Sequence, residues 1–200
     1  MSFSNEIRVL GIDDLPHTRL SAGSKIQTIA TLCRGGKSMD GLLSAHVTLD
    51  GDDSTTQFIK MINKSRIKSQ LHAILTDGVT FAGFNVLDIN MLNRKTSVPV
   101  ISVMRQIPNL KKIKRALKNV NNYDKKWSLI EKAGDIYEME ISNYSLKKPE
   151  KIHFHCAGIS PEKASEILQI TTLHGVVPEP LRLAHIIGSG LAFGESKGRA

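Results

Sequence analysis

Two short apolar runs, each cut off by an aspartate, constrain this chain more than anything else in it. Val9-Leu10-Gly11-Ile12 ends at Asp13 and Asp14, and Ala73-Ile74-Leu75-Thr76 ends at Asp77 and Gly78. Runs this short, this apolar and this abruptly ended read as buried strands in parallel pairing. In open α/β sheets, ligands collect in the crevice beyond the carboxyl ends of such strands. If the two runs are neighbours, about 4.8 Å apart, Asp13 and Asp77 can hold one divalent ion between them. The plainer alternative is that each aspartate closes a turn, as aspartate often does.

Length and charge frame the rest. The 200 residues are expected to form a single α/β domain, 1–200, with room for a proper core. No apolar run is long enough to span a membrane, and the start of the chain lacks a secretory pattern. Cys33 and Cys156 sit far apart in strand-like runs and read as buried thiols of a reducing, cytoplasmic compartment. No Cys/His cluster has zinc-site spacing. A formal net charge of +8 favours a polyanionic partner.

The order of elements narrows the fold. Residues 7–13, 25–33 and 41–49 read as three strands, with Arg34-Gly35-Gly36-Lys37 as a hairpin turn between the second and third. Residues 14–24 form a long polar connection suited to a loop over a site. Asp50-Gly51-Asp52-Asp53-Ser54 turns into a helix carrying Phe58, Met61 and Ile62 on one face. A strand at 71–76, a helix described by Phe84, Leu87, Met91 and Leu92, and a strand at 98–104 follow. Helices near 108–118 and 127–133, strands at 136–141 and 151–156, and helices at 160–172 and 180–193 complete the chain. The helix after Ser160 has Ser at its cap and Pro161 at its first position. Three meandering strands followed by strand–helix alternation is a ribonuclease H-like layout. It has a mixed sheet, an antiparallel meander followed by parallel strands, and helices on both faces. In that layout strands one and four are parallel neighbours, which sets Asp13 beside Asp77.

Several motifs carry a more specific resemblance. Val177-Pro178-Glu179-Pro180-Leu181-Arg182-Leu183-Ala184-His185 resembles the late Pro-Glu-Pro motif of endonuclease V. Leu75-Thr76-Asp77-Gly78, Val9 to Asp13 and Ser97-Val98-Pro99-Val100-Ile101 resemble that family's second metal aspartate, first-strand aspartate and Val-Pro-Thr-Ile stretch. A closer resemblance is to an uncharacterised, mainly archaeal family related to endonuclease V. It rests on Gly11-Ile12-Asp13-Asp14, on Asp77-Gly78-Val79-Thr80-Phe81-Ala82-Gly83-Phe84-Asn85, and on Gly194-Glu195-Ser196-Lys197-Gly198-Arg199-Ala200. The endonuclease V wedge, Pro-Tyr-Ile-Pro-Gly, is absent. So is the following Phe-Arg-Glu with its catalytic Glu, which leaves Asp52 or Asp53 as the acid to stand in for it. Thr80, Phe81 and Ala82 replace the His and Arg that follow the second Asp-Gly in endonuclease V.

The resemblance implies a divalent-metal-dependent nuclease acting on DNA or RNA, with deaminated bases such as inosine as the substrate feature. Asp13 and Asp77 suffice for one Mg²⁺ or Mn²⁺, because Mg²⁺ usually takes only one or two protein carboxylates. Asp53 is the expected third acid. His185 is placed to orient the nucleophile or to protonate the leaving oxygen. Glu179 and Arg182, three residues apart, form either a local ion pair or a phosphate grip in which Arg182 uses its planar fork. In Leu110-Lys111-Lys112-Ile113-Lys114-Arg115-Ala116-Leu117-Lys118, the residues Leu110, Ile113 and Leu117 are expected to make a buried stripe. Lys111, Lys112, Lys114 and Arg115 then face outward, either as a phosphate track or as an ordinary solvated face. The glycine-rich basic end, 194–200, is either a frayed tail or a backbone cradle for an anion. The rival reading is a non-catalytic nucleic-acid-binding protein that retains the fold. A third is a metal-dependent enzyme acting on a small phosphorylated molecule.

Overall fold

A computed structural model of the chain describes residues 3–17, 20–21 and 23–196. Strands β1 (Arg8–Asp14), β2 (Lys25–Arg34) and β3 (Ser38–Thr48) form the antiparallel meander. Between β2 and β3, the Lys37 N–H donates to the Arg34 carbonyl at 3.0 Å, and Gly35 and Gly36 take φ of 53° and 70°. Two successive positive φ values match the twist of a tight hairpin, and only glycine adopts both without strain.

Helix α1 (Ser54–Lys64) leads to β4 (Ala73–Asp77), which pairs in parallel with β1 from Val9↔Ala73 to Ile12↔Thr76. A short hairpin, β5 (Thr80–Phe81) and β6 (Asn85–Val86), precedes helix α2 (Ile89–Thr96). Strand β7 (Val100–Met104) then pairs in parallel with β4. Helices α3 (Leu110–Leu117) and α4 (Tyr123–Lys132) follow, then β8 (Tyr137–Ile141) and β9 (Glu150–Ala157), both antiparallel additions, and finally α5 (Pro161–Thr171) and α6 (Glu179–Phe193). The seven-stranded sheet runs β3-β2-β1-β4-β7-β9-β8. This is the mixed sheet expected from the sequence, including the parallel pairing of strands one and four.

Alternation along the central strands feeds two cores. Leu10, Ile12, Ile74 and Val100 meet Phe58 and Ile62 of α1 and Leu92 of α2 on one face. Val9, Ala73, Leu75, Ile101 and Val103 meet Ala164, Ile167 and Leu168 of α5 and Leu181 of α6 on the other. Burial on both faces is why these runs are continuously apolar. Among the described residues, no helix is long and apolar enough to cross a membrane.

Two local expectations are corrected. The helix expected from Phe84 onward begins only at Ile89, and the residues before it make the β5–β6 hairpin. Ala82 and Gly83 take φ of 43° and 79° at its turn, which no helix accommodates. Asp88 then caps α2, its side chain accepting from the Met91 N–H at 2.7 Å. The expected buried stripe of α3 is also incomplete. Leu117 is buried, Ile113 half-buried, and Leu110 is 45% exposed. Leu110 and Ile113 line an open cavity instead of a filled core.

Candidate functional site

The edge formed by the carboxyl ends of β1, β4 and β7 gathers the charged groups. Alternation puts Asp13 on the same sheet face as Val9, and Asp77 on the same face as Ala73 and Leu75, toward α5 and α6. The two aspartates extend neighbouring parallel strands one position beyond the Ile12↔Thr76 pair. Asp13 is 7% exposed. Burial, then the charges of Asp77 and Asp14, push its carboxyl up to about 8. Asp14 is also pushed upward, chiefly by burial, although its Oδ2 accepts from the Ala82 N–H at 2.9 Å. Asp77 opens to solvent at the strand tip, yet the protein mass around it still raises its pKa. Arg105, one residue past β7, draws both carboxyls back down. Among the described residues, no Lys or Arg closes an ion pair on either Asp13 or Asp77.

Helix α6 brings His185 to this edge. Gly11 makes that possible, because a Cβ there would stand 2.4 Å from the carbonyl carbon of Pro180. The helix therefore lies directly on β1, and Thr31 Oγ1 fixes its first turn by donating to the Pro180 carbonyl at 2.5 Å. His185 Nδ1 then lies 3.1 Å from Asp13 Oδ2. One turn earlier, Arg182 Nε and Nη2 donate to Glu179 Oε2 at 2.9 and 2.7 Å, and His174 Nδ1 lies 2.7 Å from Oε1. Glu179 is only 2% exposed, so Arg182 neutralises a buried carboxylate. Of its two expected roles, the local ion pair is the one formed.

Asp53 has a different environment. Its Oδ1 accepts from the Thr48 N–H at 2.9 Å and Asn85 Nδ2 at 2.7 Å, and its Oδ2 from Thr48 Oγ1 at 2.8 Å and Lys25 Nζ at 3.1 Å. These donors outweigh the opposing effect of burial and hold its carboxyl down at about 2. The carboxylate is thus engaged in joining β3, α1 and β6. Asp52 is likewise tied, to Lys126 at 3.0 Å and to Asn122 at 2.5 Å. The structure brings Asp13, Asp77 and His185 together and sets Asp53 in a knot of its own. Among the described residues, no group of three or more His, Cys, Asp or Glu side chains is arranged to hold a metal ion.

Beyond the same strand ends, on the opposite face from the Asp13 and Asp77 carboxylates, lies a cavity of about 400 Å³. Gly78, the residue after Asp77, is part of its wall, together with Met104, Leu110, Trp127 and His155. Lys111, Lys112, Lys114 and Arg115 are exposed along the adjoining α3, and Lys114 Nζ sits 4.8 Å from the centre of the Trp127 ring. Residues 197–200 of the expected anion cradle lie outside the described residues, as do 18, 19 and 22 of the connection after β1. Three groups escaped the sequence reading as site candidates. Asp14 was visible as the second acid of its pair. Arg105 was reachable by counting beyond Ile101 and Val103. His155 carried no local signal, because it reads as one more strand residue.

Comparison with known proteins places the chain among relatives. The family model described as Endonuclease dU matches residues 5–192. A UPF0215 protein of Methanothermobacter thermautotrophicus is 45% identical over 197 residues, covering 98% of this chain and 93% of the relative. One from Pyrococcus furiosus is 37% identical over 192 residues, covering 96% and 95%. Among solved structures, a protein of unknown function from Archaeoglobus fulgidus matches with a TM-score of 0.80 at 30% identity, over 92% of this chain and 98% of that one. Ciona intestinalis endonuclease V, in complex with a 24mer DNA containing an inosine followed by a ribo-adenosine, matches with a TM-score of 0.57 at 15% identity, over 92% and 84%. At that identity the likeness is one of fold, and it identifies the sheet as ribonuclease H-like.

Proposed function

We propose that this chain, which belongs to the Endonuclease dU family, is a divalent-metal-dependent nuclease that cleaves DNA or RNA phosphodiesters near deaminated bases. The observation that carries the reading is the Asp13–Asp77 edge. Two carboxylates at the ends of adjacent parallel strands, one pushed to about 8 and neither paired with a Lys or Arg among the described residues, form an oxygen donor set suited to a divalent cation. Asp13 and Asp77 would hold Mg²⁺ or Mn²⁺, with water and a substrate phosphate as the remaining donors. When bound, such an ion lowers the pKa of a coordinated water and draws charge from the phosphate oxygens.

The protein's own groups supply the rest. His185 is anchored through Nδ1 on Asp13, which leaves Nε2 to deliver a proton to the leaving oxygen or to orient the attacking water. Arg105, exposed beside both aspartates, attracts the phosphate to the edge. The cavity behind Gly78, apolar and flanked by Trp127, receives the base adjoining that phosphate. Lys111, Lys112, Lys114 and Arg115 line the approach as a sequence-independent phosphate track. Asp53 acts as a structural tie in this reading. The engagement of that acid is the observation favouring the rival, a nucleic-acid-binding protein without turnover.

The test is cleavage by homogeneous protein of matched DNA and RNA strands, plain or containing hypoxanthine or uracil, with Mg²⁺ or Mn²⁺. Wild type should cut at least one strand, and Asp77→Asn should not. Equal residual cleavage by both proteins, with equal binding, would transfer the chain to the rival reading.

A further inference from the structure

We propose that His155 selects the base, its Nε2 accepting a hydrogen bond from the ring N–H that hypoxanthine and uracil carry on their pairing edge and that their parents, adenine and cytosine, lack. The proposal rests on the reading of the cavity as a base pocket, and adds the group that decides which base is retained there.

Strand β9 aims the ring. Ile152 and Phe154 pack toward α5, so alternation turns His155 to the opposite face, where it lines the cavity with 6% of its surface exposed. Its Nδ1 lies 3.0 Å from the carbonyl oxygen of Asp135. A carbonyl only accepts, so Nδ1 carries the hydrogen, and in the neutral ring Nε2 keeps its lone pair. Burial holds the ring's pKa below the usual histidine value, which keeps it neutral near pH 7. The Gly134 carbonyl also lies beside the ring, and no side chain among the described residues bonds Nε2. The nearest competitor by register is Ser102, opposite His155 across β7 and β9, and its buried hydroxyl is itself without a partner among the described residues. Glu131, an acidic acceptor on the wall, is exposed. The cavity therefore sets a fixed ring acceptor against apolar neighbours that include Trp127, Ile130 and Ile136.

The chemistry of deamination fits that arrangement. Replacing the exocyclic amine of adenine or cytosine by oxygen converts the adjacent ring nitrogen from a bare lone pair into N–H. A fixed acceptor binds the N–H and repels the lone pair. A site built around a hydrogen bond discriminates more strongly than one built on volume, because the wrong partner leaves a buried polar group unpaired. Guanine and thymine share the N–H, and their additional amine and methyl groups are for the cavity walls to reject. One side chain would thus serve both the uracil in the family's description and the inosine in the DNA bound by a structural relative.

The experiment measures binding by fluorescence anisotropy, in EDTA, to single strands differing at one base. Wild type should prefer hypoxanthine over adenine, and uracil over cytosine, by roughly tenfold or more. His155→Phe, which keeps a ring and its volume, should bring both ratios to near one. In wild type, 1-methylhypoxanthine should lose the preference. His155→Ala, which makes room for the methyl group, should bind methylated and unmethylated strands alike. A preference that survives in folded His155→Phe overturns the assignment, as does wild type favouring 1-methylhypoxanthine over adenine. If the Phe variant does not fold, the methylated strand decides on wild type alone. Cleavage of the same strands with Mn²⁺ separates the two levels. Cutting by wild type with an undiminished ratio in His155→Phe removes the role of His155 and leaves the nuclease reading standing. Strands neither cut nor discriminated by wild type remove both.

Discussion

Two acid-rich regions of this molecule are built on opposite principles. In the loop from Asp50 to Asp53, every carboxylate has donors. Asp50 accepts from the Phe84 N–H at 2.8 Å, Asp52 from Lys126 and Asn122, and Asp53 from Thr48, Asn85 and Lys25. Lys126, fully buried, also donates to the carbonyls of Asp50, Gly51 and Phe84. At the β1–β4 edge compensation is only partial: burial raises both carboxyls and the Asp77 charge raises Asp13 further, against the pull of Arg105 on both. Satisfied charges hold a fold together, whereas uncompensated ones mark a place where the fold tolerates strain for a ligand.

The largest effects should divide along this line. Asp77→Asn should reduce cleavage by at least about 10³-fold, since it removes several kcal/mol of transition-state stabilisation, and should leave thermal stability no lower than wild type. Lys126→Met should do the reverse. It leaves the carbonyls of Asp50, Gly51 and Phe84 without their buried donor, while Asp52 keeps Lys125 and Asn122, and should lower stability by about 1–3 kcal/mol in denaturant unfolding. Equal instability of the two variants would erase the distinction.

A smaller effect separates the regions by pH. Asp53 has a pKa held down at about 2, so it contributes stability present above about pH 4 and lost as pH falls toward 2. Asp13 has a pKa raised to about 8, so its contribution is present below about pH 4 and lost as pH rises through 8. Thermal melts in EDTA should therefore show Asp53→Asn flattening the acid limb and Asp13→Asn flattening the alkaline one. Asp13→Asn should gain roughly 1 kcal/mol near pH 8, the usual scale when a strained functional group is removed. An alkaline limb unchanged by Asp13→Asn would mean that this carboxyl is not under the stress described.

Sequence made the edge readable because strand ends are written in hydrophobicity. The runs before Asp13 and Asp77 set both position and face, and the Pro-Glu-Pro stretch set the helix that delivers His185. The fate of Asp53 was not readable, because it depends on Asn85 and Lys25, which meet it only through tertiary contact. The helix boundary at Ile89 was missed since Phe84, Leu87, Met91 and Leu92 keep helical spacing across a turn set by Ala82 and Gly83. The buried stripe of α3 was misread for a related reason. Apolar periodicity shows that Leu110 and Ile113 face inward, but not whether a core or a cavity awaits them.

Calorimetric titration of Mn²⁺ into metal-free protein, in buffers of different ionisation enthalpy, reads the Asp13–Asp77 edge directly. A cation taken up between Asp13 and Asp77 must displace the proton that Asp13 holds below its pKa of about 8. Binding should be saturable and should release close to one proton at pH 6.5 and almost none at pH 9. Asp13→Asn should weaken binding at least about tenfold and abolish the proton release. Binding of equal strength in Asp13→Asn, or a proton count that does not change with pH, would contradict that uptake.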